Sequence, residues 1–191
     1  MSRVVVINNL SLDGVMQAPG RADEDTRGAF EHGGWAVPYQ AMGSLMGKRA
    51  GRTRGLLLGR RTYEDFAGFW PKQTDNPFTE VMDNTQKYVA SRTLAEPLPW
   101  VNSTLLEGDA ADAVAELKAE PDGDLVVLGS GELVRSLMQH SLVDEYALLI
   151  HPLVLGSGRR LFADHGTHAS LRLVESETTD TGVLIGTYRP A

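Results

Sequence analysis

Cysteine is missing altogether from these 191 residues. That excludes disulfides, thiolate metal sites and cysteine nucleophiles. It also excludes the zinc deaminase pattern, which takes ligands from cysteine. Positive charge is scarce: 18 Lys and Arg stand against 25 Asp and Glu, a formal net charge of −7. Such a balance argues against nucleic acid and anionic membrane surfaces as partners. An anionic ligand must then be met by a local cluster of arginines. No apolar run approaches the about 18 residues that a membrane-spanning helix needs. The run Val4 to Ile7 is too short for the core of a signal peptide, so a cytoplasmic location is the expectation. His32, His140, His151, His165 and His168 fall at no metal-ligand spacing, and no metal site is expected. A nucleophile-elbow serine with triad partners is also absent.

What is present fits an ordinary globular chain, 42% hydrophobic and 23% charged. The length suits one domain spanning residues 1–191. Arg3 to Asn8 reads as a first buried strand, followed by a long polar loop from Asn9 to Asp23. Helical spacing and a leading proline predict a helix from Pro38 to Arg49. Leu56 to Leu58, Gln86 to Ser91, Val101 to Leu106 and Leu125 to Leu128 read as strands. They alternate with helices over Arg60–Phe66, Asp75–Asn84, Asp109–Ala119 and Glu132–Gln139. The tail holds three more strands, Glu145–Leu155, Leu171–Glu175 and Val183–Tyr188. Alternation in front and strands behind predict an α/β fold whose sheet is mostly parallel, with an antiparallel edge.

Two junctions stand out because each passes from a buried strand through glycine into a helix. One is Leu58-Gly59-Arg60-Arg61-Thr62; the other is Leu128-Gly129-Ser130-Gly131-Glu132-Leu133. A helix start carries unpaired N–H groups and partial positive charge, so it suits phosphate. Two such seats, one with two arginines, point to a ligand with separated phosphates, most simply a dinucleotide. The second junction is not the Rossmann fingerprint, since Val134 stands where a third glycine is due. A third candidate, Ser91-Arg92-Thr93, ends a strand and offers hydroxyl, guanidinium and hydroxyl to an anion.

The order of these motifs, with Ser11-Leu12-Asp13-Gly14 before them and Pro152-Leu153-Val154-Leu155-Gly156-Ser157-Gly158 after, resembles the dihydrofolate reductase superfamily. Within it the chain is most similar to stand-alone relatives of the RibD C-terminal domain, the reductase half of bifunctional riboflavin-pathway deaminase-reductases. The resemblance covers essentially the whole chain. It implies a three-layer α/β/α dihydrofolate reductase-like fold around an eight-stranded mixed sheet. It implies an NADPH-dependent reductase of a small heterocycle, pyrimidine- or pteridine-like, and a homodimer. The late strand Tyr146 to Ile150, nearly all apolar, is the expected dimer surface unless one chain buries it on both faces.

By the same resemblance, Gly59, Arg60, Arg61, Thr62, Gly129, Ser130, Gly131, Glu132 and Leu133 hold the cofactor's phosphates. Ser91, Arg92 and Thr93 meet the 2′-phosphate, and Ser11 and Gly14 lie near the nicotinamide on a loop capable of lid-like motion. Asn9, Asp13 and Asp25 are the catalytic candidates, with Glu24 and Glu31 as other acids in the same stretch. Trp35 and Trp70 could stack on a flat ring or fill the core. Two alternatives stay open: a reductase of unrelated carbonyl or imine substrates, and a binding protein without turnover on the same scaffold.

Overall fold

The computed structural model describes residues 1–120, 123–162 and 166–191. Along them run β1 (Arg3–Ser11), α1 (Ala41–Arg49), β2 (Thr53–Gly59), α2 (Arg60–Phe69), α3 (Pro77–Asn84), β3 (Gln86–Ala90) and β4 (Ser103–Leu105). Then follow α4 (Ala110–Ala119), β5 (Asp124–Leu128), α5 (Gly131–Gln139), β6 (Glu145–His151), β7 (Leu171–Thr178) and β8 (Leu184–Pro190). The strands make one eight-stranded mixed sheet in the order β4-β3-β2-β5-β1-β6-β8-β7. β2 pairs in parallel with β3 and β5, and β3 with β4. β8 pairs antiparallel with β6 and β7. The expected α/β fold with an antiparallel C-terminal edge is therefore the observed one. The chain forms two compact units, residues 1–5 with 52–143 and residues 6–51 with 144–191.

In the first unit, Leu56–Leu58 and Leu125–Val127 are buried. These short apolar runs become parallel strands because both of their faces are covered. Leu57 lies opposite Val127, and Gly59 opposite Ala90. The carboxyl ends of β3, β2 and β5 are thereby level. Arg3 grips the nearly buried Asp124 as a fork, Nε donating to Oδ1 at 3.0 Å and Nη2 to Oδ2 at 2.9 Å. Lys87 is fully buried. Its ammonium donates to the carbonyls of Met82, Asp83 and Thr85 at 2.6, 3.0 and 2.7 Å. It also lies 4.3 Å from the Trp100 ring centroid. Carbonyls at a helix C-terminus lack intrahelical partners, and here a buried cation supplies them.

In the second unit, Val15, Ala18, Phe30, Trp35 and Ala36 form a buried cluster, with Leu153 and Leu155 packed against it. Glu145, buried at the start of β6, accepts from Arg49 of α1 at 2.5 Å and from Arg189 of β8 at 2.9 Å. β6 is buried along almost its whole length, whereas β7 is exposed along almost all of its own.

Several boundaries differ from those read in the sequence. β1 continues through Asn9 to Ser11, where a loop was expected, because β1 is an interior strand of the sheet. The helix expected from Pro38 is interrupted at Gln40, whose φ is +49°. Val37–Tyr39 is a separate 3-10 turn, and α1 starts at Ala41. β6 stops at His151, because Pro152 has no N–H to continue the ladder. The run Tyr146 to Ile150 is accounted for by burial inside the sheet, between β1 and β8. It needs no partner chain.

The Lys87 cluster yields a stability prediction. Lys87→Met keeps most of the apolar stem but strips three carbonyls of their donor. Hydrogen bonds to a charged group contribute roughly 1.5–3 kcal/mol, and a buried group left unpaired costs about 1–3 kcal/mol. The variant should lose about 2–4 kcal/mol in urea unfolding at pH 7. A loss under about 1 kcal/mol would assign the stability to the stem alone.

Candidate functional site

The glycine junctions of the first unit meet. The N–H of Gly59 donates to Ser130 Oγ at 2.8 Å, and the Ser130 hydroxyl donates to Thr62 Oγ1 at 2.9 Å. The sequence reads as two separate phosphate seats; the structure makes them one cradle, because β2 and β5 are neighbours that end at the same level. Gly129 and Ser130 are both left-handed, with φ of +60° and +59°. That geometry favours glycine at residue 129, while Ser130 adopts it as a non-glycine residue and turns its hydroxyl back toward Thr62 of α2. A Cβ on Gly59 would meet only Ser130, at 3.4 Å or more.

The four α-helices described in this unit begin in two ways. Asn76 caps α3 by accepting from the N–H of Phe78 at 3.0 Å, and Asp109 caps α4 by accepting from that of Ala111 at 2.8 Å. Neither α2 nor α5 has a side-chain cap. Their first-turn N–H groups therefore have no capping side-chain acceptor, and they are the two α-helices that open on glycine. Arg61 is exposed at the α2 start, while Arg60 reaches along its own helix to Glu64 at 3.1 Å. Glu132 pairs with Arg135 one turn on. Leu133 is buried in the core, so only its backbone is left for a ligand.

Ser91 follows β3 on the same edge. Its Oγ accepts from the N–H groups of Thr93 and Leu94 at 3.1 and 3.0 Å, folding a tight turn. That turn puts Arg92 into solvent, its side chain 89% exposed and 3.9 Å from Asp109. Thr93 is exposed beside it.

In the second unit the Ser11–Gly14 loop is anchored. The Ser11 hydroxyl donates to Asp13 Oδ1 at 2.6 Å and its Oγ accepts from the N–H of Val15. The Asp13 carboxylate also accepts from the N–H groups of Leu155 and Gly156 at 3.1 and 2.9 Å. Leu12 N–H bonds to the Leu153 carbonyl, Met16 N–H to that of Arg159, and Arg160 Nε to that of Asp13. Gly14 sits at φ +80° in the turn. The segment 153–161 thus fastens the loop in which lid-like motion was expected. The Ser11 hydroxyl, together with the backbone donors, holds the Asp13 pKa down at about 2.

Asp25 is tied to Arg27, whose Nε donates to it at 2.7 Å. Burial pushes its pKa up, and the hydrogen bonds and charge of Arg27 outweigh that, so the net direction is down. Arg27 in turn lines a cavity of about 270 Å³ with Gln17, Phe30 and Arg159. Glu24 accepts from the N–H groups of Gly20 and Arg21, and Glu31 is exposed. Trp35 is core: its Nε1 donates to the Gln17 carbonyl at 2.7 Å. Trp70 meets Phe69 edge-on, with ring centroids 5.2 Å apart.

Asn9, half-buried on β1, has its Oδ1 2.9 Å from His151 Nε2, within hydrogen-bond distance. His151 is fully buried, its ring edge-on to Trp35 and Tyr39, with centroids 5.2 and 4.9 Å away. Burial pulls its pKa down to about 4. Sequence reasoning weighed His151 only as a metal ligand and missed this pairing. The available signal was a histidine at a strand end fixed by Pro152. Among the described residues no group of three or more metal-binding side chains occurs; His165 lies outside them.

Comparison with known proteins bears on this arrangement. The model of the RibD C-terminal domain matches residues 3–185. The uncharacterized protein YyaP of Bacillus subtilis is 34% identical over 137 residues, 68% of this chain and 70% of YyaP. Among solved structures, a protein provisionally assigned to riboflavin biosynthesis from Shewanella sp. PV-4 superposes with a TM-score of 0.69 at 22% identity, over 99% of each chain. Dihydrofolate reductase from Enterococcus faecalis, complexed with NADP(H) and RAB-propyl, does so with a TM-score of 0.64 at 15% identity. That match spans 98% of this chain and 96% of the reductase. The two structural likenesses speak for the fold, and the match to the family model over 183 residues decides the family: this chain belongs to the RibD C-terminal domain family.

Proposed function

We propose that the chain is an NADPH-dependent reductase of a small heterocycle, pyrimidine- or pteridine-like. One observation carries the reading: of the four α-helices described in the first unit, the two that open on glycine are the two without side-chain caps. Open N–H groups at adjacent helix starts favour phosphate oxygens. Gly59 to Thr62 and Gly129 to Leu133 would hold the pyrophosphate, the latter through backbone alone at Leu133. Arg61 and Arg92 would supply the positive charge that the chain otherwise lacks, with Ser91 and Thr93 beside Arg92 for a 2′-phosphate. The cofactor would bring the hydride; the protein's part is binding, orientation and electrostatics.

On the substrate side the proposal assigns Ser11, Asp13 and Gly14 to shaping the loop and Asn9 to contact with the ring. The cavity walled by Arg27 and Arg159 suits an anionic substituent. A second reading, binding without turnover, is favoured by one specific finding. Asp13 and Asp25 both have depressed pKa values, so neither holds a proton at neutral pH. Oxidation of NADPH against a panel of pyrimidines and pteridines separates the two readings: turnover on any of them supports the reductase, and tight NADPH binding with none supports the binder. The family's homodimer is retained in the proposal but moved to β7, an edge strand exposing Leu173 and Val174.

Three measurements follow. Wild type should bind NADPH roughly tenfold or more above NADH, the scale of one charge-assisted contact. Arg92→Ala should erase most of that preference, and equal affinities in wild type would sink the assignment. Gly59→Ala adds a methyl that meets no strain, since Gly59 has an ordinary φ of −75°. It should melt within a degree or two of wild type yet bind NADPH about tenfold more weakly, because the methyl stands at the cradle; unchanged affinity would remove the phosphate from this junction. Sedimentation at micromolar concentration should give a dimer, and Leu173→Lys a monomer; a monomeric wild type refutes the β7 contact.

A further inference from the structure

The pairing of Asn9 with His151 goes beyond holding β1 in place. Two arrangements are compatible with a 2.9 Å contact between Asn9 and His151 Nε2. In one, Nε2–H donates to the amide oxygen, and Nδ1 keeps a bare lone pair. In the other the amide is turned over, its NH2 donates to Nε2, and Nδ1 carries the hydrogen. His151 Nδ1 is buried with no partner. A buried N–H without an acceptor is rarer, and more costly, than a buried acceptor without a donor. The first arrangement is therefore favoured. A protonated ring would place that same orphaned N–H, and a charge, inside the core; burial keeps the ring neutral. The rings of Trp35 and Tyr39 pack T-shaped against the imidazole and restrict its rotation.

The consequence falls on the other end of the amide. Asn9 Nδ2 has no partner among the described residues and is not enclosed. We propose that His151 is a positioning residue that locks the Asn9 amide with its NH2 turned outward, making this point of β1 a fixed donor for a lactam-type carbonyl on a flat ligand. A locked donor selects as well as binds. A ring that offers carbonyl oxygens there is accepted. One that offers exocyclic amines meets N–H against N–H, a mismatch that polar sites reject strongly. The proposal deepens the reductase reading and rests on it for the ligand and for its place beside Asn9, not for the orientation of the amide.

The test has two arms on the full chain. Long-range proton–nitrogen correlation spectra of the free protein at pH 7 report which nitrogen of His151 bears the proton. The expected result is Nε2–H; an Nδ1–H tautomer overturns the proposal outright. The second arm uses uracil and 2,4-diaminopyrimidine as probes, with binding followed by ligand-observed NMR in the presence of NADPH. Wild type should favour uracil by about tenfold or more. Asn9→Asp turns the outward donor into an acceptor and should reverse the order. His151→Phe keeps a ring between Trp35 and Tyr39 but frees the amide to turn, so it should level the two affinities while NADPH affinity stays put. A merely structural histidine would instead weaken both probes equally, and that outcome, or an unchanged ratio in Asn9→Asp, refutes recognition at Asn9. If neither probe binds wild type while NADPH does, recognition at Asn9 fails and the cofactor assignment stands. If NADPH does not bind either, it is the reductase reading that fails.

Discussion

Parallel neighbours in a sheet must end on the same edge, and the first unit is organised by that constraint. β3, β2 and β5 lie side by side, with Gly59 level with Ala90 and Leu57 level with Val127. Each of the three therefore delivers its following turn to one place. An antiparallel set would have sent alternate turns to opposite edges. The turns differ in chemistry because their residues differ. Two open uncapped helices through glycine, and one folds around Ser91 so that Arg92 projects into solvent near Asp109. The Ser130 hydroxyl then bridges the two helix starts, taking the Gly59 N–H and giving its own hydrogen to Thr62. A single small side chain thus fixes the spacing between two sets of open N–H groups.

The second unit uses a partly buried carboxylate for a similar purpose. Asp13 accepts from Ser11 and from two consecutive backbone N–H groups at Leu155 and Gly156. Those donors need an ionised acceptor, which is why its pKa is so low. The same contacts that make Asp13 a good anchor make it a poor acid. Its neighbours Leu12 and Met16 hydrogen-bond to the same later segment, so the loop is held by backbone as well as by the carboxylate.

The fold was largely legible because its signals are local. Short apolar runs such as Leu56–Leu58 and Leu125–Leu128, each stopped by glycine, are consistent with buried strands, and here both are interior parallel strands. The junction residues were legible for the same reason. What the sequence could not display were facts of adjacency. That Ser130 touches Gly59 depends on β2 and β5 being neighbours, and residues 71 positions apart carry no local mark of it. That Asp13 is an anchor depends on Leu155, 142 residues later. Gln40 broke a helix whose spacing was otherwise regular, because a left-handed φ at a non-glycine residue leaves no trace in hydrophobic periodicity. Asn9 read as loop because two asparagines are poor strand formers; a buried histidine on β6 satisfies one of them and overrides the propensity.

The acids and the amide of the second unit together narrow the chemistry that the proposed reaction would need. Hydride addition leaves negative charge on the acceptor. A reductase can quench it with a proton from a nearby acid or spread it onto an atom that a fixed donor stabilises. Asp13 and Asp25 are poor sources of a proton, since each carboxylate is held ionised by donors it cannot shed. An amide NH2 held rigidly by a buried neutral imidazole is suited to the second course. It gives no proton and strengthens its bond as charge builds on a carbonyl oxygen. On this reasoning the substrate's own ring oxygen does the work that a catalytic acid does elsewhere, and water can supply the proton afterwards. An isolated imine, which has no such oxygen to receive the charge, is the acceptor this arrangement suits least.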